Sequence, residues 1–201
     1  MTSQWTRDKY YIRAMKEGFR ARAAYKLLEI QKRHAVIRDD DNVVDLGAAP
    51  GSWLQVLRTI THGAIIGVDL NAIAPMEGVK TVVGDFTTPE VQEEVRGLAG
   101  GIVSVVTCDA SPKLSGATSY DQARAIGLGE DALAFAVTIL KNGGNFVCKS
   151  FQGEDFPELL AEAKKHFLSV RTFRPAASRR GSKEIYIVAK NFRRHMDGVE
   201  G

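Results

Sequence analysis

The stretch "NVVDLGAAPGSWLQVLRTI", Asn42–Ile60, holds three signals in order. "NVVDLG" is a short apolar run of strand length. "AAPG" is a turn bounded by Gly47 and Gly51. "GSWLQVLRTI" then continues at helical length. A strand, a glycine turn and a helix make the opening unit of an α/β sheet. The pattern repeats downstream. "GAIIGVDL" (63–70), "VKTVVGDF" (79–86), "GIVSVVTCDA" (101–110) and "GNFVCKSF" (144–151) read as strands. Helical segments fall between several of them. One is "TPEVQEEVRGLA", with Thr88 as N-cap and Pro89 in the first turn. Another is a long stretch from Ser119 that Gly127 and Gly129 interrupt near its start and that ends at Gly143. "DFPELLAEAKKHF" is a further helix, and "FRARAAYKLLEIQKRH" (19–34) is a basic one ahead of the first strand. The last strands, "LSVRTFRP" and "SKEIYIVAKNF", are joined by a segment too short for a crossover helix, so one of them runs antiparallel. The expected architecture is α/β: a mostly parallel sheet with helices on both faces.

A chain of 201 residues is long enough for one domain with a full core. The expectation is a single domain over 1–201, with a basic N-terminal segment 1–38 and a short tail 191–201. No apolar run approaches the ~20 residues of a membrane span. The N-terminus has no apolar signal core, so a cytoplasmic protein without membrane contact is expected. Cys108 and Cys148 each close an apolar run and read as buried thiols. With no C-x-x-C pair and four scattered histidines, no metal site is expected.

The net charge of +3 hides a segregation. Residues 1–38 carry 10 Lys/Arg against 3 Asp/Glu, residues 39–163 carry 7 against 18, and residues 164–194 carry 10 against 1. If the fold joins the two basic ends, they form one positive face suited to a polyanion, most often nucleic acid.

Ligands of such sheets sit at the carboxyl ends of the strands. The first strand ends in Asp45, Gly47, Gly51 and Trp53. The second ends in Asp69 and Leu70, the third in Asp85 and Phe86, the fourth in Asp109, and the fifth in Lys149. A nicotinamide dinucleotide site also pairs a glycine turn with an acidic residue about 20 positions on. Here the loop reads G-A-A-P-G instead of G-x-G-x-x-G, and no Gly-Lys-Ser/Thr follows. Acidic residues on three further strands would repel a pyrophosphate. They suit a ligand carrying an amine, ribose hydroxyls and a cation, as S-adenosylmethionine does.

"DLGAAPGSW", "VGDF", "DASPKLSG", "GNFVCKSFQGED" and "SRRGSKEIYIVA" together resemble the FtsJ-type family of ribosomal RNA 2′-O-methyltransferases, from about Arg20 to Lys190. The resemblance implies a Rossmann-like methyltransferase fold, with a seven-stranded sheet whose last strand is inserted antiparallel. It implies S-adenosylmethionine as cofactor and methyl transfer to a uridine 2′-hydroxyl of large-subunit rRNA near the peptidyl-transferase centre. It places a Lys-Asp-Lys-Glu tetrad on Lys26, Asp109, Lys149 and Glu184, with Lys149 as the base. It places the cofactor against Asp45, Gly47, Gly51, Trp53, Asp69, Leu70, Asp85, Phe86 and Asp109. Free lysine titrates near ~10.4, and desolvation beside a second ammonium lowers that value. Without the resemblance, Lys26 reads as one more charge on a basic helix, Asp45 as a brace for the glycine loop, and Trp53 equally as a core aromatic.

The expected partner is large-subunit rRNA or an assembled large subunit. The protein, expected to be a monomer, would hold it through Arg7, Lys9, Arg13, Arg20, Arg22, Arg174, Arg179 and Arg180, with Lys183 beside them. Tyr10, Tyr11 and Phe19 would either stack on unpaired bases or pack on the domain. The sequence departs from the family at Ser111-Pro112-Lys113, where many members have Ala-Pro-Asn, and at Ser52, where a second glycine is frequent. It also leaves no room for the C-terminal RNA-binding domain that some archaeal relatives carry. A tRNA methyltransferase of the same family, a catalytically silent ribosome-assembly factor and a nicotinamide-dependent dehydrogenase are the rival readings.

Overall fold

A computed structural model describes residues 8–112, 118–179 and 181–194, the side chains of 118–121 excepted. Arg7, Lys113 and Arg180 lie outside the described residues. The elements run α1 (Lys9–Glu17), α2 (Ala24–His34), β1 (Val43–Leu46), α3 (Ser52–Leu57), β2 (Ile65–Asp69), β3 (Val79–Val83), α4 (Pro89–Leu98), β4 (Val103–Cys108), α5 (Thr118–Ile139), β5 (Leu140–Phe151), α6 (Phe156–His166), β6 (Phe167–Phe173) and β7 (Glu184–Phe192). Among the described residues no helix is long and apolar enough to cross a membrane.

All seven strands join one sheet in the order β3-β2-β1-β4-β5-β7-β6. The pairs from β3 through β5 are parallel, and β7 lies antiparallel between β5 and β6. This is the expected sheet, inserted strand included. The chain runs outward from β1 in both directions, so the switch in strand order falls between β1 and β4.

The strands alternate between two apolar layers. Val44, Leu46, Val106, Phe146 and Cys148 pack toward α4, α5 and α6. Val43, Val105, Val147, Tyr186 and Val188 pack toward α2 and α3. Burial on both faces is why these strands read as nearly continuous apolar runs. The same alternation decides where Lys149 points. It lies two residues beyond Val147, so it shares the α2 face.

The structure differs from the sequence reading at several helix ends. α1 was not expected. Asp8 caps it by accepting from the Tyr10 and Tyr11 amides, and Gly18 ends it at φ 78°. Phe19–Ala23 form a turn, and the following helix starts only at Ala24. α5 runs unbroken through Gly127 and Gly129 and ends at Ile139, before Gly143. Gly129 serves packing: a Cβ there would lie 2.9 Å from Leu159 Cδ2 on α6. Gly143 takes φ 79° within β5, beside an irregularity in the pairing of β5 with β4. Thr88 does precede α4, but its hydroxyl donates to Asp85 O (2.9 Å) and caps no helix amide.

Asp45 stands opposite Thr107 in the β1–β4 pair, in the middle of the sheet. It is 1% exposed. Thr107 Oγ1 donates to its Oδ1 at 2.7 Å, and its Oδ2 has no partner among the described residues. Burial pushes its pKa up to about 8, against the pull of the Thr107 hydroxyl and with help from the charges of Asp109 and Asp69. A carboxyl with a raised folded-state pKa favours folding below its unfolded value and loses that contribution as pH rises through the folded value. Stability should therefore fall between about pH 4 and about pH 8. Urea unfolding of an Asp45→Asn variant across that range should show a flatter pH dependence than the wild type.

Phe135 of α5 is 1% exposed and meets Phe86 edge-on, ring centroids 6.2 Å apart. Phe135→Ala should cost about 3–5 kcal/mol in the same measurement, through lost transfer energy and the cavity left behind.

Candidate active site

Four charged side chains far apart in sequence meet at the carboxyl end of the sheet. Lys149 Nζ donates to Asp109 O at 2.6 Å and lies 3.3 Å from Asp109 Oδ1. Lys26 Nζ, rising from α2, is 3.0 Å from Glu184 Oε2 and 3.7 Å from Asp109 Oδ1. Two amines and two carboxylates thus form one cluster. Lys26 is 9% exposed and Lys149 7%. Charges buried this far persist only with close partners, and each has one here. The structure therefore brings together Lys26, Asp109, Lys149 and Glu184.

Tyr186 completes the cluster. It pairs with Lys149 across the β5–β7 ladder and donates its hydroxyl to Asp109 Oδ1 at 2.6 Å. Its ring lies 5.7 Å from Lys26 Nζ. Burial first, and then the charges of Asp109 and Glu184, push its pKa well up, so it stays a hydrogen-bond donor. The sequence reading missed it, although its signal was present: Tyr186 is two residues from Glu184 on one strand and so on the same face. Behind it, Trp53 stacks at 6.0 Å and donates its indole N–H to Ala23 O at 2.8 Å.

Beside the cluster a cleft of about 810 Å³ opens along the strand ends. That volume lies within the range of ligand pockets, roughly 300–1,000 Å³. Gly47, Asp69, Leu70, Asp85, Phe86 and Asp109 line it. Gly47 has φ 68°, and a Cβ there would lie 2.5 Å from Ala110 Cβ, so only glycine lets the first loop approach the fourth. Asp69 Oδ2 accepts from the Ala49 amide at 3.0 Å, tying the second strand end to the glycine loop. Asp85 Oδ1 accepts from the Thr87 amide and hydroxyl.

Three expected cofactor residues do not line this cleft. Asp45 is buried behind the glycine loop, Trp53 supports Tyr186, and Gly51 faces Arg20 at φ 102°. Conversely, α5 contributes Arg124, Gly127, Leu128 and Asp131, none of which was expected. Burial, and then the charge of Asp85, push the Asp131 pKa up. A wall with Asp69, Asp85, Asp109 and Asp131 against Arg124 is a set of acceptors. It fits amines, hydroxyls and a cation, and it does not fit a pyrophosphate.

The basic residues divide in two groups. Arg20 donates to Pro50 O (3.0 Å), Ala74 O (2.8 Å) and Pro75 O (3.1 Å), clamping the glycine loop. Arg22 pairs with Asp8 and donates to Ala177 O. Burial, then the charge of Arg179, lower its pKa. Arg174 donates to Ser182 O, and Arg13 pairs with Glu17 at 2.7 Å on the surface. The guanidinium groups of Arg20 and Arg22 are thus engaged within the chain; Lys9, over the Tyr10 ring at 5.2 Å, and Arg179 lie at the surface. Tyr10 and Phe19 pack against Tyr25, each with ring centroids at 5.6 Å.

Comparison with known proteins gives the same assignment from several directions. The FtsJ-like methyltransferase family model matches residues 19–192. A Methanoculleus marisnigri protein named ribosomal RNA large subunit methyltransferase E is 72% identical over 201 residues, 100% of this chain and 99% of that one. A protein of the same name from Methanococcoides burtonii is 50% identical over 185 residues, 92% of this chain and 69% of the relative. A solved structure titled as a ribosomal RNA methyltransferase from Plasmodium falciparum superposes with a TM-score of 0.77 at 25% identity, over 87% of this chain and 98% of that one. The family match spans the whole sheet, the acidic cleft and all four clustered residues, and the chain belongs to the FtsJ-like methyltransferase family.

Proposed function

We propose that the protein uses S-adenosylmethionine to methylate a ribose 2′-hydroxyl in large-subunit rRNA, at a uridine near the peptidyl-transferase centre. The observation that carries this reading is the pair of buried lysines on Asp109 at the edge of an acidic cleft. The names of the relatives support the rRNA substrate.

When bound, S-adenosylmethionine supplies a methyl group on a positively charged sulfur. Asp69, Leu70, Asp85, Phe86 and Asp109 would hold it, with Gly47 leaving the backbone close to it. Asp45, Gly51 and Trp53 would act on it only through the loop and the cluster behind it.

A 2′-hydroxyl is a weak nucleophile and must lose its proton as it attacks. Lys149 takes that proton in this reading. A neutral amine has two N–H donors and one lone pair. Asp109 O and Oδ1 offer acceptors for both donors, which leaves the lone pair for the substrate. The Lys26 ammonium, held by Glu184 and Asp109, stabilises negative charge growing on the ribose oxygen. Tyr186 keeps Asp109 in place. Exposed cations such as Lys9 and Arg179 would bear on RNA phosphates, setting register with little reading of bases.

The test is methyl transfer from radiolabelled S-adenosylmethionine to unmodified large ribosomal subunits, naked rRNA and tRNA in parallel, with the methylated nucleoside identified. The expected product is 2′-O-methyluridine in large-subunit rRNA. Lys149→Ala should lose about 10²–10⁴-fold in rate, the usual contribution of a general base, while binding the cofactor as measured by calorimetry. Lys149→Arg should be equally inactive, because a guanidinium does not deprotonate in proteins. Near-wild-type transfer by either variant would remove Lys149 as the base. Label in tRNA would change the substrate, and cofactor binding without any transfer would favour the assembly-factor reading.

A further inference from the structure

Glu184 has two carboxylate oxygens and is largely buried, its side chain 12% exposed. Oε2 takes Lys26. Oε1 accepts the hydroxyl of Ser178 at 2.7 Å. Ser178 is itself buried, 9% exposed, and lies outside the cleft lining. We infer that Ser178 is a positioning residue for the reaction: by holding Glu184 Oε1, it turns Oε2 onto Lys26 and fixes the Lys26 amine beside Asp109. This rests on the reading of the cluster as a methyl-transfer site.

The surroundings of Ser178 support a set geometry. It ends a turn closed by its own amide on Pro175 O at 3.0 Å. Glu29 of α2 accepts from the amides of Ala176 (2.5 Å) and Ala177 (3.1 Å). Arg22, just before α2, donates to Ala177 O. Ala177 is fully buried against Ala14 and Tyr25. Glu29 lies one helical turn from Lys26. One helix therefore carries Lys26 and also grips the loop that orients its partner. At the other end, the Glu184 amide donates to Ser182 Oγ at 3.1 Å. A flexible Glu side chain is tied at its backbone and at both oxygens. A buried carboxylate oxygen deprived of its donor seeks another, and the carboxylate, Oε2 included, turns as it does so. The Lys26 amine would then leave its place beside Asp109.

The experiment pairs kinetics with an assay that needs no catalysis. Ser178→Ala should lower kcat for rRNA methylation roughly tenfold, the scale of one hydrogen bond to a charged group, with cofactor KM unchanged. Ser178→Thr, which keeps the hydroxyl, should restore most of it. In a Glu184→Ala background, Ser178→Ala should have no further effect, as expected for residues acting through one contact. Separately, the rate of Lys26 acetylation by acetic anhydride, followed by peptide mass spectrometry, should rise several-fold in Ser178→Ala. Unchanged kcat together with unchanged Lys26 labelling would overturn the inference, and so would a kcat loss that persists without Glu184. If the wild type transfers no methyl group to RNA, the functional reading fails, while the labelling still decides whether Ser178 sets Lys26.

Discussion

The Asp109 carboxylate is the point on which the site depends. Its Oδ1 lies within 3.7 Å of Lys26 Nζ and 3.3 Å of Lys149 Nζ, and it also accepts the Tyr186 hydroxyl. Two amines this close repel each other if both are charged, and burial raises the cost of each charge. An acceptor between them makes the pairing tolerable, and Glu184 adds the second negative charge. The topology supplies the parties. β4 delivers Asp109, its parallel neighbour β5 delivers Lys149, and the inserted β7 delivers Glu184 and Tyr186 to the same face as α2. Remove the inserted strand and the cluster would lose two of its five members.

The same arrangement relates the cluster to the cleft. Asp109 belongs to both, since its backbone and side chain hold the lysines while it also lines the acidic wall. Asp45, one strand away, shows the opposite solution to burying a carboxyl. It has one hydroxyl donor and no cation, and its pKa rises to about 8. Two aspartates on neighbouring parallel strands thus differ in chemistry because one reaches the end of the sheet and its lysines while the other stays in the middle.

Much of this was legible in the sequence, for a physical reason. Parallel strands end on the same side, so the strand-end residues Asp69, Asp85, Asp109 and Lys149 had to fall in one row. The alternation of apolar residues gave the strands, and the short final connection gave the antiparallel one. What escaped notice was mostly polar side chains acting on other side chains. Ser178 and Tyr186 carry no charge to single them out, and their roles depend on partners 6 and 77 positions away. Trp53 was legible as either a cofactor neighbour or a core aromatic, and it packs in the core behind Tyr186; at Gly51 only the packed loop shows Arg20 beside it. α1 buries a single alanine, so its apolar stripe is weak, although Asp8 and Gly18 marked both its ends. Gly127 and Gly129 misled because propensity argues against glycine in a helix; packing against Leu159 asks for glycine at 129, while a Cβ at 127 would meet only open space beside the cleft.

The place of β7 has a consequence for how the protein is made. It is the seventh strand in chain order but the sixth in the sheet, with β5 on one side and β6 on the other. During synthesis β5 and β6 emerge first, each lacking the neighbour that belongs between them. The gap closes only when residues 184–192 leave the ribosome, and the closing strand brings Glu184 and Tyr186 with it. Completing the sheet and completing the charged cluster therefore both require β7. A nascent chain that ends with β6 carries the glycine loop, the strand-end aspartates and Asp109, yet it lacks Glu184, the nearer of the two carboxylates that hold Lys26.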